Sequence, residues 1–162
     1  MTTSKQAQVI APDAYPQMMS KADGARAMAA LRSQPVAIKA ATAMQAAAAP
    51  MRAAILDYVD ALEECGGNQQ CIFDTVHEIR GLAATAELVT TGRIADILCR
   101  YMDDMLRLSL PLDAHLVALH VAAIARAARA EDDDVGMGET VAAELAALVT
   151  KRLFEAEANL QS

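Results

Sequence analysis

The chain has 162 residues, a length that suits one domain with a tail. Hydrophobic residues make up 54%, much of it alanine, so a helical core is affordable, while aromatics are only 3%, which argues against a β-sandwich and against an aromatic platform for nucleic-acid bases. The formal net charge of -7 argues against nucleic acid as a partner, because phosphate backbones are bound by basic surfaces that displace counterions.

Residues 1–35 are read as an N-terminal tail carrying a short helix. Pro12 and Pro16 break the first part into a tail or a segment ordered only by docking. Ala25 to Arg32 is predicted helical, ended by Ser33 and Pro35. Residues 36–160 are read as a helical bundle. Val36 to Glu64 is helical with a break or kink at Pro50, and Ile55, Val59 and Leu62 recur at helical intervals until Gly66, Gly67 and Asn68 stop it. A second long helix is predicted from Gln69 to Leu88, with Thr90, Thr91 and Gly92 as a short connection or helix start, and another from Arg93 to Leu108. Ser109, Pro111 and Asp113 announce a further helix whose last turn carries Arg126 and Arg129, complementing the dipole. Glu131 to Gly138 reads as an acidic loop, and Glu139 to Ala158 as the last helix. Strand signals are weak and no repeat is visible. The expected fold is all-α: an antiparallel four-helix bundle with an additional N-terminal helical segment.

No signal peptide and no apolar run long enough for a membrane span is found, so no membrane association is expected. Cys65, Cys71 and Cys99 cannot all pair within one chain and show no zinc-ligand spacing; they are read as reduced thiols of a cytoplasmic protein.

The informative helix runs from Cys71 to Ala86. At about 100° per residue, Ile72, Val76, Ile79, Ala83 and Ala86 share one side, and Phe73, Asp74, His77, Gly81 and Ala84 the other. His77 therefore points away from the apolar stripe. Gly81, one turn on, costs about 1 kcal/mol against alanine, so a benefit is expected of it. Absence of a side chain leaves a shelf on which a partner can approach the imidazole. Arg80, near the same face, suits neutralisation of phosphate oxygens by charge-assisted hydrogen bonds.

The run His77-Glu78-Ile79-Arg80-Gly81-Leu82-Ala83-Ala84 resembles the motif of the histidine-containing phosphotransfer (HPt) domain family: a histidine, a basic residue three on, glycine four on, and small residues six and seven on. Arg80 stands where lysine is usual, and Glu87 where the family often has a further glycine. Leu98 to Asp103 resembles the family's next helix. The resemblance covers roughly Met51 to Arg129. It implies that His77 accepts a phosphoryl group from the aspartate of a response-regulator receiver domain and passes it to another, within a relay fed by a hybrid histidine kinase. It also implies that Arg80 steadies the phosphoryl oxygens, and that Gly81 and Ala84 allow docking. Phe73, Asp74 and Leu88 join Ala84 in the partner surface. No cofactor or metal is expected on this chain, since Mg²⁺ would belong to the receiver, and a monomer is expected.

Two other readings stand beside it. His77-Glu78-Ile79-Arg80 also resembles the H-box of histidine-kinase dimerisation domains, with Glu78 assisting proton removal. There Gly81 replaces the usual Thr or Asn, Leu82 replaces the proline, and no ATP-binding domain follows. A non-catalytic all-α signalling adaptor is the reading from a different class. His115 and His120, five apart, do not share a helix face as a ligand pair, and Glu63, Glu64, Asp103 and Asp104 lack the Glu-x-x-His spacing of di-metal bundles.

Overall fold

A computed structural model describes residues 20–130 and 135–160. Among these the chain is all-helical, without strands: α1 Lys21–Leu31, α2 Gln34–Glu64, α3 Gln69–Ala83, α4 Val89–Arg107, α5 Ala114–Arg129 and α6 Val135–Leu160. The expected tail over residues 1–19 and the acidic stretch at 131–134 lie outside the described residues. No described helix is long and apolar enough to cross a membrane.

The chain divides into two compact units, Met1–Thr42 and Ala43–Ser162. In the first, α1 begins earlier than the spacing predicts, because the Ser20 hydroxyl oxygen accepts the backbone N–H of Asp23 and caps the helix at that point. None of its residues is buried. Of the break or kink expected at Pro50, the break is corrected: α2 Gln34–Glu64 runs through the proline as one helix. Proline removes the N–H that would bond the Ala46 carbonyl, but Ala46 is exposed, so this part of the helix is not buried away from solvent.

In the second unit α4 packs against α3, α5 and α6, and α5 packs against α6. Its buried residues include Ile94, Leu98, Tyr101 and Met105. Tyr101 is wholly buried, yet its hydroxyl is satisfied, because it accepts the backbone N–H of Asp113 at 3.0 Å. Asp113 in turn caps α5, accepting from the N–H groups of His115 and Leu116. Those two donors, Leu116 first, hold its carboxyl below the usual carboxylate range.

Three boundaries differ from the sequence reading. First, α3 ends at Ala83, not Leu88. Glu87 adopts φ +59, the Leu88 N–H donates to the Ala83 carbonyl, and the Glu87 N–H donates to Ala84. These are the bonds of a Schellman turn, and its apolar residue after the left-handed position folds inward. Arg52 from α2 braces the turn, donating through Nε to the Ala86 carbonyl at 2.9 Å and through Nη2 to that of Glu87. Second, α4 begins at Val89 rather than Arg93: of the connection or helix start expected at Thr90, Thr91 and Gly92, the structure takes the helix start, and both threonines are buried. Third, α6 starts at Val135, so Gly136 and Gly138 belong to a helix. Gly138 abuts the Thr90 side chain, where a Cβ would collide.

The expectation of three reduced thiols is also corrected. Cys65 and Cys71 form a disulfide across the α2–α3 corner, leaving Cys99 free and buried. The tight turn at Gly66 and Gly67, both at positive φ, brings their Cα atoms to 5.7 Å, within disulfide range.

Candidate functional site

Helix α3 carries the site. Asn68 caps it by accepting the Cys71 N–H at 3.1 Å. Ile72, Val76, Ile79 and Ala83 are buried, which is the stripe that the helical period predicts, and His77 lies on the exposed side with Asp74, Gly81 and Ala84. Phe73 is half-buried, packed against the core on one side and toward His77 on the other, with ring centroids 6.0 Å apart. A shallow pocket of about 350 Å³ opens beside the imidazole, lined by Tyr58, Phe73, Asp74, Thr75, His77 and Glu78. Phe73 also lines a neighbouring pocket of about 230 Å³ with Met102, Asp103, Leu106, Leu110 and Leu112. Leu106 stands 78% exposed at its edge.

The structure brings His77 and Arg80 together. Arg80 Nη2 lies 3.1 Å from His77 Nδ1. The guanidinium also faces α4, with Nη1 at 3.5 Å from Asp96 Oδ1. Asp96 is shared: its Oδ2 accepts from Arg100 Nε at 2.9 Å. The result is a row of alternating partners, imidazole, guanidinium, carboxylate and guanidinium, running from α3 onto α4. A Cβ built on Gly81 meets nothing within 4 Å, so the space beside His77 is open.

Leu88 is the one expected surface residue that the structure removes from the site. It is 2% exposed, in the core, because the Schellman turn carries it inward. Three residues of the site are not marked by the sequence run around His77. Tyr58 comes from α2 and Leu106 and Asp96 from α4; only Asp96 leaves a trace, an acid four residues before Arg100, as on a salt-bridged helix face.

Cys99 does not add a nucleophile. Burial pushes its thiol up to about 11, with Asp103 and Asp96 adding to this and Arg80 opposing it. Among the described residues no group of three or more His, Cys, Asp or Glu is arranged to hold a metal. His115 is exposed, whereas His120 is fully buried with Nδ1 donating to the Leu116 carbonyl at 2.8 Å. The larger apolar cavity, about 410 Å³ between α4, α5 and α6, is walled by Ala122, Ala123, Ala127 and Gly138 among others, and does not include His77.

Comparison of the chain with models of protein families, with curated proteins and with solved structures finds no match.

Proposed function

We propose that this chain is a histidine phosphotransfer protein. In this reading His77 takes a phosphoryl group from the aspartate of one receiver domain and gives it to another. The observation that carries it is the exposed imidazole with a guanidinium 3.1 Å away and no side chain on Gly81 to block approach. Phosphoryl transfer asks a protein mainly for positioning and charge neutralisation, and this arrangement offers both. The ring attacks the phosphorus of an aspartyl phosphate, the P–O bond to the carboxylate breaks, and Arg80 neutralises the phosphoryl oxygens that arrive on the ring. Mg²⁺ and the acidic pocket belong to the receiver. Phe73, Asp74 and Ala84 contribute the docking face, joined by Tyr58 and Leu106.

The finer arrangement proposed is an antiparallel four-helix bundle within residues 36–160, with the short α1 as the additional N-terminal helical segment. Two links across the helices support it: Tyr101 of α4 holds the cap of α5, and Asp113 at the start of α5 reaches Arg152 late in α6 at 3.5 Å. The protein so described works as a monomer between a hybrid histidine kinase and receiver domains.

The test is incubation with phosphorylated receiver domains. The expected result is acid-labile, base-stable phosphate on the chain, lost in His77→Gln. Label that persists in His77→Gln, or none across a wide panel of receivers, rejects the reading.

A further inference from the structure

Arginine only donates: its guanidinium nitrogens all carry protons and none offers a lone pair. The contact between Arg80 Nη2 and His77 Nδ1 therefore has one polarity. Nδ1 accepts, so in the neutral ring Nδ1 holds the in-plane lone pair and Nε2 holds the proton. In this state the ring has no free nucleophilic nitrogen. Its lone pair lies under a guanidinium, and the nitrogen that Arg80 leaves alone, Nε2, is protonated. For Nε2 to attack, Arg80 must leave Nδ1 and the ring proton must move there.

The group that shares this guanidinium with the ring is Asp96. Its carboxylate lies 3.5 Å from the other terminal nitrogen of the same guanidinium. Arg80 and Asp96 have similar side-chain exposure, 33% and 35%, so their attraction is only partly screened. Arg100 holds the second carboxylate oxygen at 2.9 Å and keeps the first turned to Arg80. The other ionisable groups around the ring are Asp74 and Glu78 on α3 and Tyr58 from α2; Asp74 accepts from Gln70 Nε2 at 2.8 Å.

We infer that Asp96 is a positioning residue for His77, acting through Arg80. It competes with Nδ1 for the guanidinium and so sets how often Nε2 carries the lone pair. This rests on the phosphotransfer reading for its purpose, but the tautomer balance exists whether or not a receiver binds. When Asp96 holds Arg80, the ring is ready. After transfer the same guanidinium is at hand for the phosphoryl oxygens.

The test reads the ring directly in the full chain. Nitrogen-15 shifts of the His77 imidazole, taken where the ring is neutral, give the share of each tautomer. Asp96→Asn leaves Arg80 with Nδ1 as its main partner. The Nδ1–H share is expected to fall by roughly threefold, the low end of coupling between contacting side chains. Arg80→Ala is expected to raise that share, and Arg80→Ala with Asp96→Asn to match Arg80→Ala alone. Asp96→Ser repeats the test with a second side chain that carries no charge.

A small phosphoryl donor supplies the chemical readout. With phosphoramidate, an Nε2–P bond forms, the P–N bond breaks, ammonia leaves and the Nδ1 proton goes to water. Phosphorus NMR should show labelling at Nε2 slowed by roughly threefold in Asp96→Asn, but not when Arg80 is already alanine. Unchanged tautomer shares in Asp96→Asn, or an equal change without Arg80, overturns the inference. Failure of every receiver to phosphorylate a chain that shows these tautomer shifts rejects the phosphotransfer reading instead.

Discussion

The chain sets one histidine beside an open glycine and another in a closed core. His77 stands at the surface of α3 next to Gly81, whose missing side chain faces empty space. His120 is 0% exposed in α5, while across the α4–α6 seam Gly138 lies hard against Thr90. The two rings also use Nδ1 oppositely. His120 Nδ1 donates to a carbonyl, which leaves a lone pair on Nε2, but that atom is buried and has no hydrogen-bond partner. His77 Nδ1 accepts from Arg80. Residue type alone therefore says little about role. A histidine is available for chemistry only where a partner can reach it, and a helical glycine is to be read by what its absent side chain would have touched.

The largest effect that would break this comparison is on transfer. Gly81→Leu should fold near-normally, because the position is exposed and a Cβ there meets nothing within 4 Å. Transfer from a receiver should nevertheless fall by about 100-fold or more, the scale of displacing reacting groups by roughly an ångström. Circular dichroism with a timed transfer assay measures both, and unaltered transfer would sink the docking-shelf account. Gly138→Ala should do the reverse. Its Cβ runs into Thr90, and overpacking of that kind costs about 1–3 kcal/mol, read as a lower urea midpoint with the ring shifts of His77 unmoved.

The buried histidine gives a pH test. Desolvation lowers the pKa of His120 in the folded state, against a bond to Leu116 that raises it. The unfolded chain therefore binds the proton first as pH falls. Stability should decline below about pH 6.5, with a slope of at most about 1.4 kcal/mol per pH unit. It should level off once the folded form also protonates. Urea titrations at pH 7.5, 6 and 5 measure the decline, and His120→Leu should flatten it. An unchanged slope in that variant would remove His120 as the cause.

The smallest effect concerns the end of α3. Glu87 sits at φ +59, a left-handed conformation that glycine enters at no steric cost. Glu87→Gly should gain a few tenths to about 1 kcal/mol in thermal unfolding, and a loss would mean that the Glu87 side chain makes a contact worth more than the strain.

The same turn shows where sequence reading ends. The buried stripe of α3, the exposure of His77 and the cap at Asp113 are all legible, because they follow from helical period and from side chains that bond their own neighbourhood. The Schellman turn is not, since its usual glycine is absent and a glutamate takes the position. Without that signal, helical period places Leu88 on the surface it turns away from. Composition leaves Thr90 to Gly92 as either a connection or a helix start; packing decides, since Gly92 is where α4 approaches α3, its would-be Cβ 2.7 Å from that of Ala83. Asp96 and Tyr58 join the site from other helices, and a spacing rule within α3 has no access to them. With three cysteines, nothing in the spacing singles out Cys65 and Cys71; the glycine turn between them does that in three dimensions.

That cross-link has a consequence for the mechanics of the site. Joining residues six apart ties off a small ring at the corner where α3 begins. A ring of this size removes about 2 kcal/mol of chain freedom from the unfolded state in the loop-closure picture. The helix that bears His77 thus starts from an anchored corner, with Arg52 bracing its far end, so α3 is gripped at both ends and the imidazole is mounted on a stiff beam.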